Sequence, residues 1–179
     1  KDVVITKGSL GALHVVHQIP IPLILEEDKE TAMRADSEGI HVAYRSPDSE
    51  YSSEYLIQTT GVLDDVHVVD TTGAGDAFIG GYILGRRMMM TSISDSDGTK
   101  EESETTKSGV GVALKLGAWV GGRKLEGPGS RLGLPKGSDV DECLGHTLEE
   151  VVTSLNSKIG TFGRKKEAAE KEEAITTPS

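Results

Sequence analysis

The chain has 179 residues, of which 27% are charged and 36% hydrophobic, and its net charge is −10. That length predicts one medium-sized domain, and the low hydrophobic share predicts that part of the chain lies outside the packed core. The negative charge argues against binding to nucleic acid or to an anionic membrane, because both favour a basic surface.

Cysteine content and hydropathy bear on the compartment. The single cysteine, Cys143, excludes an internal disulfide and fits a reducing environment. No apolar run approaches the roughly 20 residues of a membrane span. The chain opens inside a predicted strand and reads as a piece of a longer protein. We therefore expect a cytoplasmic location, with an organelle left open.

The first half of the chain alternates between extended and polar stretches. A β-branched run at residues 3–5, a glycine-punctuated turn at 6–11 and an extended pattern at 12–16 predict a strand, a tight turn and a second strand. Residues 26–54 are polar and predict loops, with an alternating stretch at 40–44 that indicates a strand. Residues 66–69 predict a further strand.

A glycine-rich loop and an apolar helix follow that strand. Residues 77–85 are apolar almost all round, which predicts a buried helix. Its glycines would let the helix pack very close to a sheet. The order of strand, loop and helix predicts half of a β-α-β unit.

The rest of the chain mixes helical and polar segments. Residues 92–108 are acidic, contain one hydrophobic residue and predict a disordered loop or insertion. A second helix is predicted over 110–120, a glycine- and proline-rich loop over 121–135 and an amphipathic helix over 147–159. Residues 164–173 are charged and predict a solvated helix or a frayed tail.

The loop at residues 70–76 carries the clearest chemistry. Gly73, Ala74 and Gly75 are small, and the helix that follows would point free N–H groups outward, which predicts an anion site. A carboxylate at Asp76 could accept a proton from an attacking hydroxyl, as phosphoryl transfer requires. By spacing alone, an N-cap role for Asp76 is an equal alternative. The chain has neither a P-loop nor a complete dinucleotide fingerprint.

Residues 70–83, with the sequence DTTGAGDAFIGGYI, resemble the C-terminal signature of the PfkB carbohydrate kinase family, in the ribokinase-like superfamily. Residues 3–12 resemble the strand and turn that hold the nucleotide in that family, and residues 129–135 resemble its later loop. The resemblance covers residues 1–150, the C-terminal half of such a kinase domain. Residues 92–108 would then be an acidic insertion, and residues 151–179 a terminal helix and charged tail.

The resemblance implies an α/β fold of three layers, αβα, with a predominantly parallel sheet and helices on both faces. This chain would hold only the C-terminal portion of that fold. The implied activity is that of a phosphotransferase, which moves the γ-phosphate of ATP to a hydroxyl of a sugar or related small molecule.

The resemblance implies roles for particular residues. Asp76 matches the catalytic base, and the amides of Gly73, Ala74 and Gly75 match the anion hole. The implied nucleotide-binding residues are Thr6, Gly8, Gly11 and Gly75. Asp70 and Thr72 match positions that bind K⁺ in members that use a monovalent cation.

The implied cofactors are ATP and Mg²⁺, with K⁺ in addition where a monovalent cation is used. The N-terminal half, which would carry most substrate-binding residues, is not in this chain. We therefore expect residues 1–179 to be inactive alone, and expect any homodimer to form through that half. One alternative is a nucleoside (adenosine-like) kinase. Another is a non-catalytic PfkB-like scaffold or regulator, against which the retained base and glycines count.

Overall fold

Five strands and five helices form within the residues that the computed structural model describes, which are 2–18, 31–35, 39–45, 52–94 and 102–163. The strands are β1 (Asp2–Thr6), β2 (Ala12–Gln18), β3 (Thr31–Ala35), β4 (Ile40–Arg45) and β5 (Ser52–Thr60). The helices are α1 (Ala74–Ser94), α2 (Glu102–Leu125), α3 (Gly129–Leu132), α4 (Gly137–Leu144) and α5 (Leu148–Lys158). The fold is therefore mixed α/β, as predicted.

The sheet has the strand order β1-β2-β5-β4-β3, and every pairing among these strands is antiparallel. The prediction of a predominantly parallel sheet is therefore wrong for the described strands. Parallel neighbours need a crossover of about a dozen residues or more. Residues 7–11 alone join β1 to β2, so these strands can pair only as a hairpin. That hairpin confirms the predicted strand, turn and strand.

The described helices pack on one face of the sheet, whereas three layers were predicted. Helix α2 contacts β2 and β5, and the ring of Tyr82 in α1 lies 6.2 Å from the ring of His14 in β2. Val3 and Ile5, on the opposite face of β1, are exposed. The described strands are joined as antiparallel neighbours rather than through crossover helices, so no described helix covers the second face.

Residues 66–69 do not join the sheet, so the predicted strand is wrong. The stretch is fastened to the end of α2, because Leu125 O accepts the amides of Val69 at 2.8 Å and Asp70 at 3.2 Å. Val68 and Val69 remain more than half exposed. The run has no strand partner among the described residues, and the predicted half of a β-α-β unit does not form there.

The polar region 26–54 contains more strand than predicted. The strand at 40–44 is confirmed as β4, but β3 and the start of β5 replace predicted loops. In β5 the buried positions alternate, and several of them are polar, including Glu54 and Gln58. Because polar side chains occupy the buried face, the usual apolar alternation of a strand is hidden in the sequence. Residues 19–30, 36–38 and 46–51 lie outside the described residues.

Helices α1 and α2 approach each other closely through glycines on both sides. A Cβ added at Gly81 would lie 2.9 Å from Leu116 O, and one at Gly117 would lie 2.9 Å from Phe78 O. Gly81 and Gly85 of α1 therefore serve the contact with α2 rather than with the sheet, contrary to prediction. The prediction that α1 is buried on every side is also wrong, since Ile79 and Ile83 are 53% and 60% exposed.

The predicted disordered segment 92–108 is partly helical. Helix α1 continues to Ser94 and α2 begins at Glu102, while residues 95–101 lie outside the described part of the chain. The helix predicted over 110–120 is confirmed within α2. The loop predicted from residue 121 starts later, because α2 runs to Leu125, and it contains the short helix α3.

Helix α5 confirms the amphipathic helix predicted over 147–159. Thr147 caps it, since its hydroxyl accepts the Glu150 amide at 3.2 Å while Glu150 Oε2 accepts the Thr147 amide at 3.0 Å. Val151 and Leu155 are buried in the core that contains Trp119 of α2. The charged stretch 164–173 lies outside the described residues. Across the described residues, no helix has both the length and the apolar character to cross a membrane.

The close contact of α1 with α2 leads to a stability prediction. Gly85→Ala would place a Cβ 2.6 Å from Ala113 Cα. We expect it to lower the free energy of unfolding by about 1–3 kcal/mol, the usual cost of overpacking. Gly80→Ala is the matched control on α1, because an added Cβ meets nothing within 4 Å. Its greater helix propensity should raise the free energy of unfolding by up to about 1 kcal/mol. Urea unfolding measures the free energy of unfolding of both variants. Equal changes in the two variants would contradict the close contact between α1 and α2.

Candidate functional site

The loop at residues 70–76 is held by the carboxylate of Asp70. Oδ1 accepts the amide N–H of Thr72 at 2.9 Å, and Oδ2 accepts the amide N–H of Gly129 at 2.7 Å. Gly129 begins α3 and has a φ of +66°. One side chain therefore joins the loop before α1 to the start of α3.

These hydrogen bonds stabilise the ionised form of Asp70. They lower its pKa from 3.8 to about 2, with the Thr72 amide as the largest cause, followed by the Thr72 hydroxyl and the Gly129 amide. The positive charge of Lys124 lowers the pKa further, while partial burial acts in the opposite direction. Asp70 is therefore a carboxylate at neutral pH.

Gly73 makes the turn into α1. Its φ is +79°, a backbone conformation that glycine adopts without strain, and an added Cβ would lie 3.2 Å from Ser130 Cβ. Gly73 O accepts the Ala77 amide at 2.9 Å, and the helix begins at Ala74. Gly73 is thus the N-cap and Asp76 the third helical residue. The alternative in which Asp76 is the N-cap is wrong.

The first turn of α1 leaves donors open to solvent. The amides of Gly75 and Asp76 donate to no acceptor among the described residues, and both residues are exposed. Open space surrounds the Cα of Gly75. The Ala74 amide is engaged, since it donates to Thr71 O at 3.2 Å. An anion would therefore meet the amides of Gly75 and Asp76, together with the positive end of the helix dipole.

Asp76 brings a carboxylate to the same turn. It is the acidic residue of the first turn of α1, and its side chain is exposed. An anion on the amides and a hydroxyl beside Asp76 would lie on one helix end. In that arrangement Asp76 can act as a general base next to a developing negative charge.

The turn between β1 and β2 holds the residues predicted to line the nucleotide site. Thr6 ends β1, Gly8 is exposed with a φ of +56°, and Gly11 packs against the backbone of Thr60 and Gly61. Backbone hydrogen bonds close the turn, including Lys7 N to Gly11 O at 2.7 Å.

A series of contacts through the end of α2 connects the β1–β2 turn with the 70–76 loop. Gly11 packs against Gly61, and two residues later Leu63 packs against Gly122 near the end of α2. A Cβ at the neighbouring Gly121 would lie 3.3 Å from Ala74 O. The two predicted groups are therefore linked through the end of α2, and no described contact joins them directly.

Lys124 belongs to this region and was missed by sequence reasoning. It is fully buried near the end of α2, where its ammonium donates to Gly127 O at 3.1 Å. Lys124 lies eight residues after the buried Leu116, on the same helix face. That spacing is the one sequence signal that could have identified it.

The described residues show no multidentate metal centre. Among the described residues, no group of three or more histidine, cysteine, aspartate or glutamate side chains could hold a metal ion. Both oxygens of Asp70, one of the two residues matched to a K⁺ position, accept amide N–H groups.

Comparisons with known proteins leave the family open. No protein-family model matches the chain, and no curated protein matches it. Ribokinase from Giardia lamblia is a solved structure with weak similarity, at a TM-score of 0.35 and 21% sequence identity. The match covers 64% of this chain and 31% of that ribokinase, so it spans less than a third of the longer protein.

The hydrogen bonds of Asp70 predict a pH-dependent contribution to stability. Because folding lowers its pKa, the contribution is complete above pH 3.8 and is lost as the pH falls from 3.8 towards about 2. Asp70→Asn leaves one oxygen to accept two amides, so we expect a lower melting temperature at neutral pH. The difference from the wild type should narrow below pH 3.8 and close near pH 2.

Thermal melts across pH measure this difference. Asp141→Asn, the same chemical change on the exposed side of α4, controls for loss of a negative charge. If the difference in melting temperature between the wild type and Asp70→Asn stays constant down to pH 2, the carboxylate does not hold the loop.

Proposed function

We propose that the chain is part of an ATP-dependent phosphotransferase that phosphorylates a hydroxyl of a sugar or related small molecule, as in PfkB-type carbohydrate kinases. The observation that carries the proposal is the first turn of α1. There, the free amides of Gly75 and Asp76 stand next to the exposed carboxylate of Asp76.

The proposed chemistry follows from that turn. Asp76 accepts the proton of the substrate hydroxyl as the hydroxyl oxygen attacks the γ-phosphorus of ATP. A new P–O bond forms to the substrate, the bond to the β-phosphate oxygen breaks, and ADP leaves. The amides of Gly75 and Asp76 stabilise the negative charge on the phosphoryl group in transfer, because they are already oriented before the reaction.

ATP and Mg²⁺ are the proposed cofactors. Thr6, Gly8 and Gly11 are proposed to line the nucleotide site, and the exposed Gly8 leaves backbone accessible there. Mg²⁺ on the ATP phosphates would neutralise their charge.

The proposal places the remainder of the substrate site outside this chain. Asp76 and Gly75 are exposed, so nothing in the described residues encloses a substrate beside them or excludes water. Residues 1–179 are therefore expected to bind nucleotide without phosphorylating a sugar.

Replacement of the proposed base is the direct test of activity. ADP release by the full-length parent is measured on a panel of sugars and nucleosides, with wild type, Asp76→Asn and Asp141→Asn. We expect one substrate class to stimulate release in the wild type and in Asp141→Asn. Asp76→Asn should lose about 10²–10⁴-fold of that stimulated rate, the usual contribution of a general base.

The panel also separates the alternatives. Stimulation by nucleosides rather than sugars would assign a nucleoside kinase. ATP binding without stimulation by any substrate would favour a scaffold or regulator, and full activity in Asp76→Asn would remove the base from the mechanism.

A further inference from the structure

One side of α1 carries large apolar side chains that no described element covers. Helix α1 packs along α2. On the side turned away from α2, four large apolar residues are between 42% and 65% exposed: Ile79, Ile83, Leu84 and Met90. A single exposed apolar residue is ordinary, whereas several on one helix face mark a contact with another surface. We call this side the outer face of α1.

The centre of the outer face is a line of four exposed residues, spaced four, three and four positions apart: Asp76, Gly80, Ile83 and Arg87. Around the helix axis they fall within about 60° of one another. This spacing is that of the contact line of a coiled coil, where such positions meet those of a second helix. The outer face therefore has the geometry of a helix–helix contact.

The charges at the two ends of this line identify the second helix as another copy of α1. In an antiparallel pair related by a two-fold axis, Asp76 of each copy lies opposite Arg87 of the other. Gly80 of each copy then lies opposite Ile83 of the other, because both pairs are centred on the same point of the helix. A parallel pair would set like charges opposite each other, and these repel. The outer face is thus complementary to itself in the antiparallel orientation.

Gly80 leaves room for the second copy. An added Cβ at Gly80 would meet nothing within 4 Å, so the surface beside it is open. The Ile83 side chain is 60% exposed, and that of the second copy fits into this opening. The same contact is repeated across the two-fold axis, which gives two apolar layers with one charged pair beyond each.

We propose that the chain forms a symmetric dimer through the outer face of α1, and that Arg87 of the second copy completes the candidate site. In the dimer its guanidinium lies beside the Asp76 carboxylate, at the turn where the amides of Gly75 and Asp76 are free. It adds a positive charge for a bound phosphoryl group. This role of Arg87 rests on the proposed function, whereas the dimer does not. The dimer surface lies within this chain, unlike the homodimer expected through the N-terminal half.

Sedimentation equilibrium of the full chain measures the association, without nucleotide and over a dilution series that reaches millimolar concentration. High concentrations are needed because one helix face is a small interface. The variants are Asp76→Arg, Arg87→Asp, the double reversal that combines them, and Ile83→Arg in the apolar centre. Arg131→Asp and Leu132→Arg are the matched controls, because they make the same changes at exposed positions of α3. Circular dichroism checks that each variant is folded.

We expect the wild type to approach twice its monomer mass as the concentration rises, and to form nothing larger, because a two-fold contact closes on itself. Each single charge reversal should weaken dimerisation by about tenfold or more, since it replaces two attractive pairs with two repulsive ones. The double reversal should restore most of that loss. Ile83→Arg should abolish the dimer, and the two controls should associate as the wild type does.

A wild type that stays monomeric at every concentration would overturn the proposal, as would assembly beyond the dimer. Controls that weaken association as much as the variants of the outer face would also overturn it. So would a double reversal that associates no more tightly than the single reversals. If the chain dimerises as expected and the parent phosphorylates no substrate, the proposed function fails and the dimer stands.

Discussion

The carboxylate of Asp70 is the interaction on which the candidate site depends. It accepts one amide from its own loop and one from the start of α3, and so fixes two segments that are far apart in the sequence. Charge-assisted hydrogen bonds of this kind are stronger than neutral ones. Since Thr72 directly precedes the N-cap Gly73, the direction in which α1 begins follows from how Asp70 is held.

Asp70 contacts the ends of α2 and α3 and lies just before the start of α1. Leu125 O at the end of α2 accepts the Asp70 amide, and the Gly129 amide of α3 donates to Asp70 Oδ2. Helix α1 supplies the open donors of Gly75 and Asp76. The glycine contacts between α1 and α2 make this possible, because the N-terminus of one lies beside the C-terminus of the other. The helix dipole of α1 favours an anion at this point, and the exposed Asp76 adds a proton acceptor.

Local features were predictable and tertiary ones were not. The turn at Gly8 and Gly11, the amphipathic helix over 147–159 and the glycine-rich loop before α1 each depend on consecutive residues. The predicted direction of the strands was wrong because strand pairing depends on partners that are distant in sequence. In β5, the buried Glu54 and Gln58 also break the apolar alternation by which a strand is recognised. The exposed side of α1 was not predicted because the apolar content of a helix does not show which of its faces pack against other elements. Lys124 was missed because its burial depends on how the end of α2 packs, which the sequence does not show.

The account's central claim is that the first turn of α1 binds phosphoryl groups through its free amides. The most direct measurement is the ¹H–¹⁵N amide spectrum of the chain during titration with inorganic pyrophosphate. The account predicts saturable shifts for Gly75 and Asp76 and none for Gly137, which begins α4. Equal shifts at Gly137, or none at Gly75 and Asp76, would contradict it.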